Sequence, residues 1–157
     1  MLAPVGGALV AAGCSSEPTV VGTTSTIGTE GGSVNVDDLV LTIPAGALTR
    51  PTSITITRTS DVAPNGFVAL TPIYRFSPDG LTFAQPARVS FAQPASAPNA
   101  TIVWSAGTTF EALATQAVGG RLEAEAIHFS SGFVAIPPVV DGGIDAGTSD
   151  AGSDVSV

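Results

Sequence analysis

The chain has 157 residues, room for one domain with extensions at its ends. Its formal charge is -8, from 13 acidic residues and 5 arginines with no lysine, so binding to a phosphate backbone or to anionic headgroups is disfavoured. With 11% charged residues, 44% hydrophobic residues, 18 Gly and 12 Pro, the composition suits short strands and tight turns better than helices.

The chain opens with small apolar residues that lead through Leu9, Val10, Ala11, Ala12 and Gly13 to Cys14, the only cysteine. A single thiol makes no internal disulfide. Ala11-Ala12-Gly13-Cys14 resembles the lipobox of bacterial lipoprotein signal peptides. It departs from that pattern in having Ala11 where Leu is usual, and no basic residue precedes it. The resemblance implies a truncated signal over 1–13 and lipid attachment at Cys14. The predicted address is the cell envelope, at the outer membrane or cell surface, with membrane contact through the lipid alone. Residues 14–29, from Ser15-Ser16-Glu17-Pro18 through a Thr/Ser/Gly stretch, read as a flexible tether. No run reaches the roughly 18 apolar residues of a membrane span.

From 30 to 137 the pattern is one of successive short strands. Leu39, Leu41 and Ile43 alternate with Val40 and Thr42, and Ile54 and Ile56 alternate with Thr55 and Thr57. The adjacent Asp37 and Asp38 face opposite ways in a strand, so a turn suits them better than a carboxylate pair. Tyr74 with Phe76, Val89 with Phe91, and Ile102 with Trp104 continue the period of two. Residues 109–115 are open to a short helix as the alternative to a strand. In the last clear strand Leu122, Ala124 and Ala126 alternate with Glu123 and Glu125, so one face is wet. Turn chemistry separates the strands at Pro44-Ala45-Gly46, Pro64-Asn65-Gly66, Pro78-Asp79-Gly80 and Gln93-Pro94. The fold class predicted is all-β, an antiparallel β-sandwich.

Two blocks carry a family likeness. Gly31-Gly32-Ser33-Val34 followed by Leu39-Val40-Leu41-Thr42-Ile43-Pro44-Ala45-Gly46-Ala47-Leu48 resembles the opening of the ZU-five domain. Ser77-Pro78-Asp79-Gly80-Leu81-Thr82-Phe83-Ala84-Gln85-Pro86-Ala87 is similar to that family's turn into a strand that continues through a proline. The resemblance implies a β-sandwich of ZU-five type used as an interaction or spacer module, and it implies no shared ligand.

The chemistry-bearing motif is His128-Phe129-Ser130, which holds the only histidine. In some ZU-five domains a His-Phe-Ser strand cuts its own Phe–Ser bond. Carried over, Ser130 Oγ attacks the Phe129 carbonyl carbon, His128 takes the serine proton, and water hydrolyses the resulting ester. The shift also needs strain in the scissile bond. The competing reading is structural, with Phe129 filling the sandwich and His128 hydrogen-bonded. The core phase of Leu122, Ala124 and Ala126 turns His128 and Ser130 inward and Phe129 outward in a regular strand. The apolar Ile127 and Phe129 fall on the other phase, which predicts a bulge or twist near 126–129.

Other chemistry finds less footing. There is no Gly-x-Ser-x-Gly elbow, no phosphate-cradling loop ending in Lys, and too few His and Cys for a transition metal, so no cofactor is expected. Carbohydrate binding is the weakest alternative, because Trp104 and Tyr74 fall on core-phase positions. Beyond Pro137-Pro138, residues 138–157 hold a loose Asp-Ala-Gly repeat with no aromatic or basic residue. They read as a disordered acidic tail whose aspartates lack the spacing of a calcium loop. The overall expectation is a non-enzymatic, surface-anchored module with an unidentified protein or envelope partner. The alternative is self-cleavage of the Phe129–Ser130 bond.

Overall fold

The computed structural model describes residues 21–139, so the signal over 1–13, Cys14 and the tail from 140 onward lie outside the described residues. Twelve strands and no helix occur among the described residues. In chain order they are β1 (Gly22–Ile27), β2 (Gly32–Val36), β3 (Leu39–Ile43), β4 (Thr52–Arg58), β5 (Val68–Ala69) and β6 (Tyr74–Ser77). There follow β7 (Thr82–Ala92), β8 (Thr101–Ala106), β9 (Thr109–Ala112), β10 (Gln116–Val118), β11 (Arg121–His128) and β12 (Ser131–Ile136).

The alternation read from the sequence becomes two antiparallel sheets. One has seven strands, in the order β1-β4-β6-β12-β8-β9 with β5 paired to β12. The other has five, in the order β10-β11-β7-β3-β2. Their facing sides form the main core, in which Leu39, Leu41, Ile54, Ile56, Phe76, Val89, Phe91 and Ile102 are sealed from solvent. Each such side chain contributes about 1.5–3 kcal/mol by leaving water. The wet face expected beside Leu122, Ala124 and Ala126 is the outer side of the five-stranded sheet.

Strands β8 and β12 of the seven-stranded sheet are buried on both faces. The chain between β4 and β6 folds over its outer side, and Phe67 and Phe110 pack edge-on against Phe133. Ile73, Val103 and Ala135 complete this second, smaller cluster. Arg75, from the same face, reaches Asp61 of the covering segment at 3.5 Å.

One boundary differs from the sequence reading, and one open assignment is settled. Gly22–Ile27, assigned to the tether over 14–29, is strand β1, and it pairs with β4 from Gly22↔Thr57 to Ile27↔Thr52. Its Thr-rich sequence looks like linker because only Ile27 is fully buried there, while the stability comes from the ladder on β4. The segment 109–115, open to a short helix, forms β9 over Thr109–Ala112. Gly107, with φ of 66°, turns the chain so that Thr109–Ala112 pairs back on β8. Local composition lost there to an available sheet edge. Asp37 and Asp38 form the two-residue turn of the β2–β3 hairpin, with Asp37 at φ 50°.

Both ends of the described fold leave at one end of the sandwich. Val21 accepts a backbone hydrogen bond from Arg58 at the close of β4, and β12 runs outward past the same level through the Arg58↔Tyr74 and Gly132↔Tyr74 registers. A clasp ties the two sheets there. The Tyr74 hydroxyl donates to Asp37 Oδ2 at 3.1 Å, and Arg58 stands 3.9 Å from the same oxygen. Burial, reinforced by the hydrogen bond to Asp37 and by its charge, pushes the Tyr74 phenol up to about 12.

Candidate functional site

His128, Phe129 and Ser130 sit where the chain leaves one sheet for the other. β11 ends at His128 in the five-stranded sheet, and β12 begins at Ser131 in the seven-stranded sheet. The register between β11 and β7 breaks just before this crossover. Ala126 faces Ala87 but His128 faces Thr82, so β7 loops out over 83–86. That loop takes up Pro86, which has no N–H to give a ladder. Its Ala84 N–H donates to Ala47 O at 3.0 Å and its Gln85 Nε2 to Ala45 O at 3.2 Å. The Pro44-to-Leu48 segment and the proline strand, distant in sequence, are thereby clipped together.

Across this irregularity Ile127 turns outward, with 64% of its surface exposed, and Phe129 turns into the core at 1%. Phe129 packs between Phe76, at 5.6 Å between ring centres, and Phe83, edge-on at 4.9 Å. Ile127 thus keeps the phase of Leu122, Ala124 and Ala126, and Phe129, just past the end of β11, is buried where a continued regular strand would expose it.

Every carbonyl of the crossover has a donor. Trp104 Nε1–H donates to His128 O at 3.2 Å, Gly80 N–H to Phe129 O at 3.1 Å, and Phe76 N–H to Ser130 O at 2.9 Å. Phe129 N–H donates to Leu81 O at 2.8 Å. Trp104 also lies flat against Gly132, where a Cβ would run into the indole ring. Trp104 and Tyr74 are both buried, so neither offers a platform for a sugar.

The two side chains of the cleavage reading point to different partners. The Ser130 hydroxyl is hydrogen-bonded to the Ser105 hydroxyl, and Ser105 Oγ also accepts the Ser131 N–H at 3.1 Å. His128 Nδ1 stands 3.4 Å from Phe129 O, on the carbonyl oxygen and away from the serine hydroxyl. The arrangement polarises the carbonyl through Gly80 N–H, but the group touching Ser130 Oγ is a hydroxyl with no capacity to act as a base near neutral pH. Among the described residues Asp37 is the only non-glycine residue with left-handed backbone, so that form of strain is absent from the crossover.

Ser105 escaped the sequence reading. Its signal was a polar residue in the run Ile102-Val103-Trp104, where a buried hydroxyl needs a partner, but nothing local names that partner. Among the described residues no three His, Cys, Asp or Glu gather as metal ligands, and no helix is long and apolar enough to cross a membrane. Comparison with known proteins finds no family that this chain matches and no similar curated protein, so the ZU-five likeness rests on the quoted motifs alone.

Proposed function

We propose that this chain is a surface-anchored bacterial lipoprotein whose β-sandwich, of ZU-five type, is a non-enzymatic interaction and structural module. The observation that carries this reading is the common exit of β1 and β12 from one end of the sandwich. A lipid on Cys14 would then hold that end towards the membrane. The opposite end, with the Pro44-to-Pro51 and Pro78-to-Leu81 loops, would be presented outward. The paired, fully satisfied crossover at His128-Phe129-Ser130 supports its use as packing. Metabolic labelling with an alkyne palmitate tests the anchor. Label is expected on the full chain and absent from Cys14→Ser, and an unlabelled wild type overturns the reading.

The second reading, self-cleavage of Phe129–Ser130, is favoured by one contact, Gly80 N–H on the Phe129 carbonyl oxygen, where charge develops during attack. Denaturing intact mass after long incubation at neutral pH separates the two. A single species rejects cleavage, whereas a break after Phe129 that Ser130→Ala abolishes supports it.

A further inference from the structure

β11 is paired by β7 from Arg121 to Ala126 and again at His128 on one side, but on the other side β10 covers it only from Arg121 to Glu123. The reason lies in the connection before β10. Leu113 N–H donates to Ile102 O at 2.8 Å, and the Thr115 hydroxyl bonds Thr101 Oγ1 at 2.9 Å. These bonds hold the chain down against the seven-stranded sheet, so it meets β11 late. Among the described residues no strand pairs with this side of 124–127, and the next carbonyl, that of His128, is taken by the Trp104 indole. The open stretch is about 14 Å long, enough for one short strand. A cleft of about 430 Å³ lies beside it, with Arg88, Glu123 and Glu125 as its charged lining and Ala114, Gln116 and Ile127 around them.

We propose that this edge is a β-addition site for an extended, basic segment of a protein partner, which would continue the line of β10 antiparallel to β11. Every pairing in the five-stranded sheet is antiparallel, so the incoming strand extends an existing pattern. Main-chain groups supply the attachment, and the side chains of β11 set the preference. Ala124 and Ala126 point inward, so alternate side chains of the incoming strand would turn towards the apolar interior, which suits medium apolar residues such as valine. Glu123, Glu125 and Ile127 lie on the outer face. Arg88 of β7 lies directly opposite Glu125 in register and 3.8 Å from Glu123, so one arginine is shared by two glutamates and the outer face of β11 keeps an excess of negative charge. A cross-strand arginine or lysine beside Glu125 is therefore favoured, and the chain's net charge of -8 steers such a segment in.

This deepens the reading of the sandwich as an interaction module and is independent of the lipid anchor. The test is hydrogen–deuterium exchange on the full chain with a short synthetic peptide alternating arginine with valine. Slowed exchange confined to 124–127 and its cleft, weakening as salt is raised, is the expected result. Glu125→Lys, at an exposed position, should bind that peptide roughly three- to tenfold more weakly. It should also gain binding to a peptide alternating glutamate with valine. Unchanged exchange at 124–127, equal affinity in Glu125→Lys, or protection that grows with protein concentration without peptide each overturns the proposal. The last outcome assigns the edge to a second copy.

Discussion

Strands β8 and β12 of the seven-stranded sheet carry buried side chains on both faces, whereas β11 of the five-stranded sheet buries alternate residues and wets the others. The contrast is written in the residues. Ile102-Val103-Trp104-Ser105 and Gly132-Phe133-Val134-Ala135 are unbroken buried runs, and Leu122-Glu123-Ala124-Glu125-Ala126 is a strict alternation. The first sheet is covered a second time by the segment between β4 and β6. The second keeps an open outer face and an incompletely paired edge. One half of the molecule is thus committed to packing, and the other half retains surface that is free to engage something else.

The comparison breaks most visibly at Phe133, which belongs to the outer cluster with Phe67 and Phe110. Phe133→Ala should cost about 3–5 kcal/mol in a denaturant titration. A cost near zero would mean that the covering segment is not a true second core. Gly132→Ala comes next, because its methyl group would enter the Trp104 ring. About 1–3 kcal/mol is expected, with a change in near-ultraviolet circular dichroism as the indole shifts.

Tyr74→Phe removes the clasp to Asp37 and should cost about 1 kcal/mol near neutral pH. Since the folded-state phenol is raised to about 12 from an ordinary 10, its contribution is complete below pH 10 and is lost as pH rises from 10 towards 12. Wild type should therefore lose stability across that window faster than Tyr74→Phe, and parallel curves would refute the clasp. The smallest effect belongs to the open face of the five-stranded sheet. Arg88→Ala breaks only an exposed pair with Glu123, and chemical denaturation should detect less than about 1 kcal/mol.

The motif region shows where reading from sequence succeeds and where it stops. The clash of phase between Leu122-Ala124-Ala126 and Ile127-Phe129 was visible, because a regular strand cannot bury both sets, and the fold resolves it by exposing Ile127 and burying Phe129 past the end of β11. The bulge is on β7, around Pro86, and that location depends on which strand lies beside β11. The pairing of Ser130 with Ser105 was invisible for the same reason, since 25 residues separate the two hydroxyls.

The sequence by itself determined the fold class, the strand identities at the core and the turn at Asp37-Asp38, all of which depend on periods of two and on local backbone preference. It misjudged Gly22–Ile27 and left Thr109–Ala112 undecided, because these weak local patterns became strands only where a neighbouring edge supplied hydrogen bonds. Tertiary structure alone decided that Phe129 is buried and Ile127 exposed, that His128 faces a carbonyl instead of Ser130, and that β11 keeps an open edge. Each of these depends on which segments become neighbours, and neighbours are fixed by sheet order and register, which a one-dimensional pattern does not carry.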